Sequence, residues 1–245
     1  MFNKKLTLNK THDYSLVKNP QLVVVFIHGI AADSSSFTRA IQYLEGTKSL
    51  ENVRFVTFDL LGAGKSQKSD KLKYDYKDQL EALHNSIEKL NIGDTPLVLV
   101  GHSMGTMIVT RYADTYKKSV DELILISPPV YSEKDFDNPA FAMGIKAFKD
   151  AVALKNRQIL EDKAFNSSME NIVLNRRNYK VLAGIKTKAV LIYGNMDQFI
   201  AQHNIPGLIK LNPKYLSAIK TEWNHGVSRD KYTKLVGILE NILHA

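Results

Sequence analysis

The chain has 245 residues, 44% of them hydrophobic and 24% charged, a composition of ordinary globular proteins that excludes disordered and fibrous classes. It contains no cysteine, which removes disulfides, thiolate metal sites, iron–sulfur clusters and a cysteine nucleophile together and fits a reducing compartment. The 33 Lys and Arg against 25 Asp and Glu leave a formal charge of +8, but the excess is spread over the two ends and the middle of the chain. No basic block and no Arg/Lys stripe interleaved with aromatics stands out, so nucleic acid is not an expected partner.

The N-terminus lacks the apolar stretch of a secretory signal. The longest apolar run, Leu22 to Ile27, is far short of the roughly 20 residues needed to cross a bilayer. A soluble, cytoplasmic protein without a membrane span is expected. Short β-branched runs at Leu22 to Ile27, Val53 to Phe58, Leu97 to Val100, Leu123 to Ile126 and Ala189 to Tyr193 predict buried strands, with Leu216 to Ile219 a weaker sixth. Ser34 to Ser36 offer N-caps for a helix reaching about Leu44, and Asp75 can cap one whose Tyr76, Leu80, Leu83, Ile87 and Leu90 share a face. Tyr232, Val236, Leu239 and Leu243 predict a last helix by the same spacing. Strand and helix alternating in this way require right-handed crossovers, hence an α/β fold with a mainly parallel sheet covered on both faces. The rhythm breaks once, between Pro128 and about Ala183, where Phe- and Met-rich helical segments follow one another without a strand. Residues 131–183 are therefore expected to form a helical cap inserted within a single domain spanning 1–245.

Gly101-His102-Ser103-Met104-Gly105 lies between a predicted strand and a predicted helix, the setting of a nucleophile elbow: a sharp turn holds the serine in a strained conformation, and flanking glycines avoid collisions with neighbouring backbone. A serine hydroxyl is a poor nucleophile at neutral pH and needs a histidine to take its proton and a carboxylate to orient that histidine. Asp197 stands just beyond the strand that follows the helical insertion, where strand C-terminal ends gather functional groups, and His225 stands after the last strand. The order Ser, Asp, His is the one this type of fold uses. The tetrahedral intermediate of acyl transfer carries an oxyanion that needs two donors, assigned to the backbone N–H groups of Met104, next to the serine, and Ile30, in the loop after the first strand.

Together the His28-Gly29 turn, the Asp59-Leu60-Leu61-Gly62-Ala63-Gly64-Lys65-Ser66 loop, the Gly101 to Gly105 elbow, Asp197 and His225 resemble the α/β-hydrolase superfamily, of the serine esterase and lipase type with a small helical cap. The resemblance spans nearly the whole chain. It implies a serine hydrolase that cleaves carboxylic esters through an acyl-enzyme, with a small-molecule ester as partner and no cofactor. Relatives of this pattern also include thioesterases and carbon–carbon bond hydrolases, and a non-catalytic ligand-binding member is a further alternative. Serine at the elbow counts against the epoxide hydrolase and haloalkane dehalogenase branches, which carry aspartate there. Thr106 stands where many relatives have another glycine.

Gly62-Ala63-Gly64-Lys65-Ser66 imitates the end of a P-loop, but the first glycine of that motif would fall at Asp59, whose carboxylate repels phosphate. A structural turn is expected instead. His12, His84, His102, His203 and His244 show no ligand spacing, so no metal is expected. His28 and Trp223 are read as structural, and His102 as packing under the elbow. Most of Phe136, Phe141, Met143, Phe148, Phe165 and Met169, with Tyr131 at the entry of the cap, are expected to pack on the main domain, with Tyr131, Phe141 and Phe148 lining the substrate cavity. An apolar inner face of this kind favours an acyl or aromatic group over a sugar or phosphate.

Overall fold

The computed structural model describes residues 5–13, 17–117, 119–155, 162–225 and 232–244. Among these, seven strands form one sheet: β1 (Asn9–Asp13), β2 (Leu22–Ile27), β3 (Val53–Asp59), β4 (Leu97–His102), β5 (Glu122–Ile126), β6 (Lys188–Gly194) and β7 (Leu216–Thr221), in the order β1-β3-β2-β4-β5-β6-β7. All pairings are parallel except β1 with β3. The fold is the α/β-hydrolase fold that the motifs imply.

Alternation along the strands divides the core. Val23, Val25, Ile27, Leu97, Leu99, Leu123, Leu125 and Leu191 face one side, where helices α2 (Tyr76–Glu88), α3 (Met104–Thr115) and α8 (Ile205–Leu211) contribute to the same cluster. Val24, Phe26, Val98, Val100, Ile124, Ile126 and Ile192 face the other, covered by α1 (Thr38–Glu45) and α9 (Tyr232–Leu243), which pack on each other. Burial on both faces explains why these strands are continuous apolar runs rather than alternating ones.

Asp75 caps α2 by accepting a hydrogen bond from the Asp78 N–H at 3.1 Å. At the first helix the expectation needs correction. Ser34–Phe37 is a 3₁₀ turn capped by Asp33, which accepts from the Ser35 N–H at 2.9 Å, and the α-helix begins at Thr38. Asp33, one residue upstream, takes the capping position, and the serines lie inside the turn. The edge strand β1 carries no apolar run. Its place is set by polar contacts, a bidentate pair between Asp13 and Arg54 (2.8 Å each) and a bond between the Thr11 and Thr57 hydroxyls at 2.7 Å. A charged edge of this kind also discourages pairing with another chain.

Between β5 and β6 the described chain is helical: α4 (Glu133–Phe136), α5 (Pro139–Lys155), α6 (Asp162–Ser168), a π-turn at Met169–Val173 and α7 (Asn178–Gly184). Residues 156–161 of this stretch lie outside the described residues. Tyr76 and Asn178 brace the π-turn: the Asn178 amide donates to the Ile172 carbonyl at 2.6 Å, and the Tyr76 hydroxyl donates to Asn178 Oδ1 at 2.6 Å. Among the described residues no helix is long and apolar enough to cross a membrane.

Candidate active site

Ser103 sits between β4 and α3 with φ 51° and ψ −120°, a left-handed conformation that a non-glycine residue holds only at a cost on the order of 1–3 kcal/mol. Neighbouring strands pin it there. Its N–H donates to the Ile126 carbonyl at the end of β5 (2.9 Å), and its carbonyl accepts from the Thr106 N–H (3.0 Å) and hydroxyl (2.5 Å). Gly105 is required by close approach, since a Cβ there would lie 2.2 Å from the Ile27 carbonyl oxygen. That contact packs the start of α3 against the end of β2 and brings Ser103 beside the loop carrying Ile30.

The other two predicted residues arrive from separate strand ends. Asp197 follows β6 and His225 follows β7. The two chain segments cross so closely that a Cβ on Gly194 would stand 1.9 Å from the Trp223 carbonyl oxygen. His225 Nδ1 lies 3.1 and 3.0 Å from the two carboxylate oxygens of buried Asp197, and its Nε2 lies 2.9 Å from Ser103 Oγ. A carboxylate only accepts, so Nδ1 carries the hydrogen and Nε2 presents its lone pair to the serine hydroxyl. The three side chains thus form one hydrogen-bonded relay. Met104 is the first residue of α3, so its N–H has no partner within the helix.

Phe199 ties the relay to its surroundings, which sequence reasoning did not find. Its N–H donates to Asp197 Oδ1 at 2.9 Å, its carbonyl accepts from the Tyr131 hydroxyl at 2.5 Å, and its ring meets the His225 imidazole edge-on with centroids 5.3 Å apart. Phe148 of α5 packs on the same ring at 5.1 Å. Tyr131 borders a cavity that reaches Ser103, but its hydroxyl is engaged by Phe199, and burial first, then the Asp197 and Asp135 charges, raise its ionisation well above the usual phenol range.

Two cavities meet at Ser103. The larger, about 570 Å³, is walled by Tyr131, Phe141, Phe148, Met169 and Val173; the smaller, about 380 Å³, lies against Ala31, Phe37, Val152 and Leu235. Ile30, Ser103, Phe148 and His225 border both. Phe136 belongs to an edge-packed trio with Tyr131 and Phe141, Phe165 is buried in the core, and Met143 is exposed. Arg176 is taken by Glu133 and by the Phe136 ring, 4.6 Å from the guanidinium.

Three further polar groups, His28, Asp59 and His102, are committed to the scaffold. His28 Nε2 accepts from the Leu60 N–H at 2.9 Å and Nδ1 donates to the Gly29 carbonyl at 2.8 Å, so its ring is a buried neutral strut between two loops. Asp59 accepts from the backbone N–H groups of Ser34 (3.0 Å) and Lys65 (2.9 Å). Burial alone would raise this carboxyl, but those bonds outweigh it and hold it below its ordinary value. Its charge occupies the very turn that imitates a P-loop. His102 Nε2 lies 3.1 Å from the His225 carbonyl, so this ring anchors the backbone that carries His225.

Burial, and next the neighbouring His225, push the His102 imidazole down to about 4, and burial lowers His28 as well. Both are neutral in the folded protein, whereas in the unfolded chain a histidine titrates near 6.5. Below that pH the unfolded state binds more protons, so stability is complete above about pH 6.5 and is lost as pH falls toward 4. The expected loss is on the order of 2 kcal/mol between pH 7 and 4.5, read from urea midpoints, with a shallower slope for His102→Gln. A flat profile over that window would contradict it. Carboxylates held low, such as Asp59, act only at still lower pH.

The chain belongs to the α/β-hydrolase family: the family model described as alpha/beta hydrolase fold matches residues 23–161. Over 138 residues the chain is 33% identical to a protein of Arabidopsis thaliana named as a probable lysophospholipase, BODYGUARD 5, with 56% of this chain and 31% of that protein covered. The chain thus spans about a third of that relative's length. Among solved structures it is similar to an esterase from Exiguobacterium antarcticum (TM-score 0.70, 18% identity, 99% of this chain and 100% of that one). It is also similar to the monoacylglycerol lipase of Paleococcus ferrophilus (TM-score 0.67, 19% identity, 98% and 100%). At these identities the two structures speak for the fold alone.

Proposed function

We propose that the protein is a serine hydrolase that cleaves carboxylic esters through an acyl-enzyme. The observation that carries this reading is the relay in which His225 Nε2 stands 2.9 Å from the hydroxyl of a strained serine at the junction of two apolar cavities. In the first step Ser103 Oγ attacks the ester carbonyl while His225 Nε2 takes the hydroxyl proton. The imidazolium so formed is supported by Asp197, whose position is kept by the Phe199 N–H. The N–H groups of Ile30 and Met104 receive the oxyanion, each donor contributing about 3–4 kcal/mol to the transition state. His225 then protonates the departing alkoxide, the alcohol leaves, and water deprotonated by the same nitrogen releases the acid.

Residues 131–183 act in this reading as a cap. Their helices supply Phe141, Phe148, Met169 and Val173 to the cavity wall, which excludes water and favours an apolar acyl or aryl group. The Arabidopsis relative named as a probable lysophospholipase accords with the same class of reaction. A nitrophenyl ester series graded by acyl length tests it: kcat/KM should rise with chain length from acetate to at least hexanoate as methylenes enter the cavity, by up to about 4-fold per methylene. A panel in which thioesters or β-diketones turn over well and every ester is inert would refute ester hydrolysis while leaving the relay intact.

A further inference from the structure

The larger cavity holds a second histidine–carboxylate pair. His203, in the 3₁₀ turn Gln202–Asn204, places Nε2 2.9 Å from Asp135 Oδ1, and both residues line the cavity that reaches Ser103 and His225. Asp135 is fixed from several sides: its Oδ2 accepts from the Ser132 N–H, the Ser132 hydroxyl and the Asn204 amide, each at 2.7 Å. Its side chain is only 11% exposed, whereas that of His203 is 68% exposed. Burial alone would raise this carboxyl; the bonds from Ser132, then that from Asn204, work against it and leave it lowered.

This arrangement settles what each group offers a ligand. The Asp135 oxygens already receive four donors, so the carboxylate acts through the imidazole. As a pure acceptor it takes the Nε2 hydrogen of His203, and an imidazole carrying that one hydrogen offers its Nδ1 lone pair as an acceptor. A group that satisfies such an acceptor is a hydrogen-bond donor, and a hydroxyl is a neutral donor compatible with the apolar walls of Phe141, Phe148, Met169 and Val173. A purely mechanical latch between α4 and the turn before α8 does not need His203, because the Asn204 amide already joins Asp135 to the Val130 carbonyl at 2.9 Å.

We propose that His203, oriented by Asp135, is a hydroxyl-binding subsite, and that the substrate is an ester bearing an apolar chain on one side of the carbonyl and a free hydroxyl on the other. The inference rests on the ester-hydrolase reading above. The hydroxyl belongs to the alcohol or to the acid portion, and two arms of one experiment separate these. The first compares hydroxypropyl butyrate with butyl butyrate, and the second methyl hydroxyhexanoate with methyl heptanoate, the hydroxyl standing at the chain end in each case. Within each pair a hydroxyl replaces a methyl of similar size.

In one of the arms, His203→Ala should lower the kcat/KM ratio of the hydroxylated ester to its isostere by about 3- to 10-fold, the value of one hydrogen bond, while kcat/KM for the isostere changes less than about 2-fold. His203→Gln, which keeps an acceptor, should retain part of the ratio, and Asp135→Asn should lose part of it. Thermal melts of each variant exclude unfolding as the cause. Ratios unchanged in both arms, or both esters of each pair falling by one common factor, would overturn the subsite and leave ester hydrolysis standing. Absence of turnover for all four esters in the unaltered protein would overturn the reading beneath it.

Discussion

Ser103→Ala should lower kcat for ester hydrolysis by about 10⁶, to the residual rate that binding and the oxyanion donors support. KM should change little, because the hydroxyl contributes to the reacting bond rather than to the apolar cavities. Removing Oγ also relieves nothing in the backbone, since alanine inherits φ 51° and the same bonds to Ile126 and Thr106. The melting temperature should therefore stay within a few degrees, which separates lost chemistry from lost folding. A variant that keeps more than about 1% of kcat would remove Ser103 from the role of nucleophile.

Asp197→Asn should cost about 10⁴ in kcat, and the reason is a tautomer. Asp197 Oδ1 accepts from the Phe199 N–H at 2.9 Å, so the asparagine carbonyl stays on that donor and its amide nitrogen turns toward His225. Nδ1 must then accept, the ring hydrogen moves to Nε2, and the nitrogen facing Ser103 Oγ becomes a donor where the mechanism needs an acceptor. Steady-state kinetics beside an unchanged melting temperature would show the effect. A loss under about 10-fold would mean that His225 finds its tautomer without the carboxylate.

The parts of this molecule that were legible beforehand are those in which a local pattern carries the physics. Five strands could be read because burial on both sheet faces demands uninterrupted apolar, β-branched runs, the half-exposed edge strand β7 gave a weaker signal, and the elbow could be read because a positive-φ serine between close-packed backbones demands glycines on either side. The order of Ser103, Asp197 and His225 along the chain was visible, and the structure brings these side chains into contact. β1 was invisible because Asn9-Lys10-Thr11-His12-Asp13 has no apolar face and is held by partners 41 and 46 residues away. Asp33 was passed over because the three serines after it share its capping propensity and sequence alone does not say which residue turns first. The Tyr131–Phe199–Asp197 connection and the Asp135–His203 pair left no trace in any window, since each joins segments about 65 or more residues apart that meet only once the sheet is built. Functional detail of this kind depends on tertiary meeting points, whereas the fold and the relay are encoded in spacing.

The central claim, that Ser103 is a nucleophile activated by His225, is tested most directly by treating the protein with a fluorophosphonate and locating the adduct by peptide mass spectrometry. A single phosphonyl group on Ser103, formed at a rate that collapses in a His225→Ala variant, is the predicted result. An unmodified protein, or an adduct on another residue with Ser103 unlabelled, would contradict the account.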